Sequence, residues 1–143
     1  MVILDTNVLS GLMKPDADAL ALTWLDRQSS RSVWTTSISI FEIRFGLECM
    51  ANGKRRHRLE SAFADVIGED IQGRVLEFDS AAANAAAVIA ARQRRNGRPV
   101  EIRDVQIAGI TEARKATLAT RNVRHFEGIG LSLVDPWAPE LRG

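Results

Sequence analysis

Five short runs of β-favouring residues punctuate the chain, and longer stretches with helical spacing separate them. The runs are Val2-Ile3-Leu4, residues 32–36 (Ser-Val-Trp-Thr-Thr), residues 74–78, residues 116–120 and Leu131-Ser132-Leu133-Val134. Strands that alternate with helices pair in parallel through crossovers and bury both faces of their sheet. The expectation is an α/β fold in three α/β/α layers with a mostly parallel central sheet. The first strand is broken at once by Asp5-Thr6-Asn7, which reads as a polar turn.

The helical stretches have recognisable ends. Asp16 or Asp18 caps a helix carrying Leu20, Trp24 and Leu25 on one face and ending near residues 27–30. Ser37 or Ser39 opens another, with Phe41 and Phe45 on its apolar face, stopped by Gly53. Lys54 to Val66 sets an Arg-rich face against Leu59, Ala62, Phe63 and Val66. Ser80 to Arg95 is rich in alanine, so it packs closely on another helix or a second subunit, and Asn96-Gly97-Arg98-Pro99 stops it. A last long helix starts near Asp104 and reaches about Lys115. Trp24, Trp34, Phe41 and Phe45 are expected in the core, with Trp137 pinning the tail.

At 143 residues and 45% apolar composition, the chain forms a single domain over residues 1–143. Lys and Arg number 19 against 18 Asp and Glu, so any nucleic-acid contact must come from local basic patches. Cys49 is the one cysteine, which excludes an internal disulfide and fits a reducing, cytoplasmic setting. The start MVILDTNVLS has neither a basic leader nor a long apolar stretch, and no segment is long enough to span a bilayer.

The acids fall where such folds bind ligands, beyond the carboxyl ends of the strands. Asp5 follows the first strand, Glu42 lies early in the helix after the second, and Asn122 follows the fourth. Asp104 begins the helix before that fourth strand, and helix orientation decides whether it reaches the same edge. Three carboxylates and an amide oxygen, without His or Cys at ligand spacing, suit a hard cation, Mg²⁺ or Mn²⁺. Such an ion relieves the repulsion among the acids, activates water and stabilises charge on a phosphoryl oxygen. Taken singly, each acid also has a structural explanation: an Asx turn at Asp5, a capping box Ser39-Ile40-Phe41-Glu42, and a helix-start carboxylate at Asp104. A phosphoryl-accepting receiver or an aspartate-nucleophile phosphatase fits less well. Asp5 stands alone after its strand, position 7 is asparagine, and Arg121 rather than lysine follows Thr120.

Together these residues resemble the PIN-domain ribonucleases of the VapC toxin family, especially the FitB branch. The matching stretches are Ile3 to Ser10, Ser39 to Gly46, Gly53-Lys54-Arg55-Arg56, and Thr120-Arg121-Asn122 with Phe126 and Pro136-Trp137. The resemblance implies a homodimeric, Mg²⁺-dependent endoribonuclease toxin of a type II toxin-antitoxin system. Its antitoxin is a DNA-binding protein of the VapB or FitA kind that inserts a segment into the active cleft. It also implies metal-site carboxylates at Asp5, Glu42 and Asp104. The family's fourth position, often aspartate, is Asn122 here, which keeps an oxygen but no charge and so orients water or substrate. His125 likewise stands where many relatives carry an acid. The alternative is a non-catalytic module that only binds the antitoxin on DNA, its metal site impaired by Asn122.

Candidate RNA contacts are Thr6, whose hydroxyl adjoins Asp5, with Arg121, Arg94 and Arg98. The last two belong to the cationic run 92–98; a second such run is 54–58. Phosphate contacts from these runs would position RNA without choosing its sequence, unless the runs are merely solvated helix faces. His57 and His125 have no partner at zinc spacing and no adjacent nucleophile, so no histidine catalysis is expected.

Overall fold

The structure is a computed structural model that describes residues 1–138. Its sheet contains β1 (Val2–Leu4), β2 (Val33–Thr36), β3 (Val75–Leu76), β4 (Thr117–Ala119) and β5 (Ser132–Val134), in the order β3-β2-β1-β4-β5. Every pairing is parallel, so the mostly parallel sheet is wholly parallel. The helices are α1 (Thr6–Met13), α2 (Ala19–Arg27), α3 (Ser37–Cys49), α4 (Lys54–Asp65), α5 (Ser80–Arg95), α6 (Ile102–Ala113) and α7 (Val123–Phe126). A π-helical turn at Val66–Asp70 extends α4.

Strand alternation divides the core into two layers. Ile3 and Leu118 point into the cluster beneath α5 and α6, while their neighbours Leu4 and Ala119 point into the cluster beneath α1, α3 and α4. All four are fully buried. This is the expected three-layer α/β/α arrangement.

The alanines of α5 pack against α6. A Cβ placed on Gly109 would come within 2.5 Å of the Ala82 carbonyl and 2.7 Å of the Ala86 Cβ, so only glycine permits this approach. The contact matters for function because α6 carries Asp104 in its first turn. Trp137 packs on the other cluster, with Gly11 so close that a Cβ there would lie 2.8 Å from the indole.

Four expectations are corrected. Residues 5–7 are not a free turn: Asp5 is the N-cap of α1, which begins at Thr6 and buries Val8, Leu9 and Met13. In α2 the buried residues are Ala21 and Trp24, whereas Leu20 is exposed. Gly53 does not end α3, which stops at Cys49; it stands before α4 in extended backbone. Phe41 and Phe45 are not core. They are 56% and 53% exposed and stack on each other outside the fold, because α3 buries the Ser39, Ile43 and Leu47 face instead.

Candidate active site

The strand order reverses its direction of growth at β1: β2 and β3 extend to one side, β4 and β5 to the other. The loops leaving β1 and β4 therefore diverge and open a crevice, the usual ligand position in a doubly wound sheet. Asp5, Glu42, Asp104 and Asn122 all line that crevice, with Thr6, Asn7, Ser10, Lys14 and Arg121, in an open cleft of about 420 Å³.

Asp5 is the fixed point of the site. Its Oδ1 accepts from the Thr6 N–H at 2.8 Å and its Oδ2 from the Thr120 hydroxyl at 2.8 Å. The Thr120 Oγ1 in turn accepts from the Asn122 N–H at 3.1 Å, and the Asn7 Oδ1 accepts from the Arg121 N–H at 3.1 Å. The ends of β1 and β4 are thus bound into one polar seam. Burial pushes the Asp5 carboxyl above the usual aspartate range; the Thr120 and Thr6 hydrogen bonds oppose this, and the charges of Asp104 and Glu42 add to it.

Glu42 does not close a capping box. The cap of α3 is Thr36, whose Oγ1 accepts from the Ser39 N–H, so Glu42 lies one turn further in. Its Oε1 is 2.9 Å from the Thr6 hydroxyl, which lies equally close to Ser39 Oγ. With one proton to give, Thr6 donates to the carboxylate and accepts from Ser39. Arg103 stands 3.5 Å from the other Glu42 oxygen.

Asp104 faces the cleft from α6, with the His125 Nδ1 at 3.4 Å from its Oδ2. Burial raises its carboxyl; His125 pulls it down, while Glu101 and Glu42 push it up. Asn122 caps α7 without a side-chain cap bond, which leaves its amide to the cleft.

The donor set fits a hard divalent cation: three carboxylates, two of them with raised proton affinity and one only 5% exposed, and an amide oxygen. Among the described residues no three acid, histidine or cysteine side chains are close enough, as they stand, to share one ion. Glu42 meets the Thr6 hydroxyl and Arg103, and Asp104 lies beside His125.

The basic residues sort differently. Arg121 lines the cleft and stacks over the Trp137 ring at 4.5 Å. Arg98 donates to the Glu127 carbonyl at 2.9 Å, which makes it a brace between loops. Arg94 is exposed in the last turn of α5 and is not in the cleft wall. In the other run Arg56 is paired with Glu48 and Glu60, whereas Arg55 and Arg58 line a groove beside Glu42. Sequence reasoning missed Thr120, Ser39 and Arg103. Thr120 had a visible signal, a hydroxyl at the end of a strand beside the strand of Asp5; Arg103 had none.

The PIN domain family model matches residues 2–130. A VapC ribonuclease, Y4jK, of Sinorhizobium fredii is 35% identical over 97% of this chain and 99% of its own. The toxin FitB of Neisseria gonorrhoeae is 29% identical over 96% of this chain and 99% of its own. The solved structure of FitAB bound to an IR36 DNA fragment superposes with a TM-score of 0.85 at 29% identity, covering 96% of both chains. The chain belongs to the PIN-domain family, among the VapC and FitB toxins.

Proposed function

We propose that this chain, a single domain over residues 1–143, is a divalent-metal-dependent endoribonuclease and the toxin of a toxin-antitoxin pair. The observation that carries the reading is the convergence of Asp5, Glu42, Asp104 and Asn122 on one cleft where β1 and β4 diverge. The relatives' names, VapC ribonuclease and toxin FitB, support the activity and the biological role.

Asp5, Glu42 and Asp104 would hold Mg²⁺ or Mn²⁺. Bound there, such an ion supplies an activated water and neutralises charge on the phosphodiester. Asp5, held by Thr6 and Thr120, offers a carboxylate that needs no rearrangement. Thr6 keeps Glu42 turned toward the cleft, so its hydroxyl serves the carboxylate before it serves RNA. Asn122 orients water or a phosphate oxygen without adding charge, and Arg121 approaches the RNA backbone from the rim.

The antitoxin is a DNA-binding protein of the kind present in the solved FitAB and VapBC complexes. A groove of about 630 Å³ runs from Thr6 and Glu42 between α1, α3 and α4, with Ile43, Leu47 and Met50 along it and Arg55 and Arg103 at its edges. A peptide segment laid there would reach Glu42 and block the cleft. The exposed Phe41–Phe45 stack supports a homodimer in which a second copy covers α3.

The test is incubation of purified, antitoxin-free protein with a mixed RNA pool. Cleavage that needs Mg²⁺ or Mn²⁺ and stops with a chelator is the expected result. A protein that binds an antitoxin on DNA but never cuts RNA in either metal would be the binding module instead.

A further inference from the structure

Behind Asp104 lies a second cavity, of about 390 Å³, which shares that residue as a wall with the carboxylate cleft. It is an open cavity bounded by the end of α5, the connection before α6, the first turn of α6 and the segment from α7 toward β5. Val105 and Ile129, both buried, give it an apolar side. Gln93 and Arg124 also line it, and neither side chain has a partner among the described residues. Arg98 braces one side of it: it bonds to the Glu127 carbonyl and packs against Gly128 so closely that a Cβ there would lie 2.7 Å from its Nη1.

The lining fits one kind of occupant. The volume suits a small ligand, about 300 Å³ or more. The carboxylates of Glu101 and Asp104 in the wall stand against the guanidinium groups of Arg98 and Arg124, so the lining has no charge excess that calls for an ionic occupant, and a neutral planar ring can lie on Val105 and Ile129 with its edge toward the unpartnered Gln93 amide. Arg124 is exposed and free to meet a phosphate outside. A strand crossing the carboxylate cleft and passing Asp104 would enter here next.

We propose that this cavity is a nucleotide subsite: the base of an unpaired RNA residue flanking the scissile phosphodiester enters it, Gln93 reads the edge of that base, and Arg124 holds the adjoining phosphate. The inference rests on the nuclease reading. It divides the labour, because an edge contact selects sequence and a phosphate contact only positions.

Two variants outside the metal site test it, Gln93→Ala and Arg124→Ala, by sequencing the cut ends of a mixed RNA pool and by steady-state kinetics. Gln93→Ala is expected to cut at a similar total rate but to lose the nucleotide preference at one position beside the cut. Arg124→Ala is expected to raise KM about tenfold, with kcat and cut sites unchanged, the loss of one charged hydrogen bond. A third measurement needs no activity: fluorescence anisotropy of a labelled single-stranded RNA on Asp5→Asn protein in chelator, with and without Arg124→Ala. About tenfold weaker binding supports the subsite even if no metal ever elicits cleavage, which would fail the nuclease reading alone. Unchanged binding, KM and cut preference in both variants overturn the subsite while leaving the nuclease intact.

Discussion

The Thr120 hydroxyl donates to Asp5 Oδ2 across 2.8 Å, joining the first residue after β1 to the first residue after β4. The two strands are sheet neighbours, with Leu4 paired to Ala119. Parallel pairing thus sets the donor opposite the carboxylate, and the orientation of Asp5 is fixed by the sheet itself.

Thr120→Val keeps the shape and removes that donor. Partners that orient a metal ligand are worth about 10- to 100-fold in metal affinity or activity, so a loss of that size is expected. Thr120→Ser should recover most of it. Mn²⁺ binding followed by electron paramagnetic resonance separates this from misfolding; a Thr120→Val protein with full metal affinity would show that the bond is incidental.

At the proposed metal site Arg103 would compete with the cation for Glu42. Its contact is long, at 3.5 Å, and 46% of its side chain is exposed, so it is worth at most about 1 kcal/mol, or about fivefold. Arg103→Gln should therefore lower the Mg²⁺ concentration for half-maximal binding, by up to about fivefold and most clearly at low salt. Weaker Mg²⁺ binding in the variant would mean that Arg103 supports the site rather than competing for it.

Burial raises the folded-state carboxyls of Asp5, Asp104 and Asp70. An acid with a raised folded pKa contributes stability below its unfolded value, about 4, and loses it as pH climbs through the folded value. The metal-free protein should therefore melt at a lower temperature at pH 7.5 than at pH 5. Mg²⁺ should narrow the gap by stabilising the ionised form, and Asp5→Asn should flatten the slope. A melting temperature that rises over this range in chelator, equally in both proteins, would contradict the charge assignment.

Phe41 and Phe45 stack at 6.0 Å on the outside of α3, with Arg103 5.7 Å from the Phe41 ring. Phe45→Glu removes apolar surface from a position that the folded monomer leaves 53% exposed, so it should leave the melting of the monomer nearly unchanged. Light scattering should show a dimer for the native chain and a monomer for the variant. A native monomer, or a dimer indifferent to Phe45→Glu, would remove α3 from the interface.

Much of this was legible in the chain because it follows from period and position. The β-favouring runs marked all five strands, and Asp5 and Asn122 declared themselves by following strands that meet at the centre of the sheet. What was hidden depended on competition or on distance. Asp5-Thr6-Asn7 reads as a turn because the same residues cap helices, and only the burial of Val8, Leu9 and Met13 decides for α1. Thr36, Ser37 and Ser39 all carry cap-forming hydroxyls, so the start of α3, and with it the place of Glu42 within the helix, could not be told from spacing. Phe41 and Phe45 have the four-residue period of a core stripe, yet α3 turns its Ser39, Ile43 and Leu47 face inward and leaves them exposed. The pairing of Arg103 with Glu42 joins residues far apart in the chain, and no local pattern encodes it.

On the proposed function, the carboxylates of Asp5, Glu42 and Asp104 hold the ion that RNA cleavage requires. The most direct measurement is the cleavage rate of a mixed RNA pool as Mg²⁺ and Mn²⁺ are titrated into antitoxin-free protein, with Asp5→Asn and Asp104→Asn run beside the native chain and Mn²⁺ binding followed in the same samples. Cleavage that rises with metal occupancy in the native protein, and falls together with metal affinity in both variants, is the predicted result. Metal-independent cleavage, or Asp5→Asn protein that binds Mn²⁺ and cuts RNA as the native chain does, would contradict it.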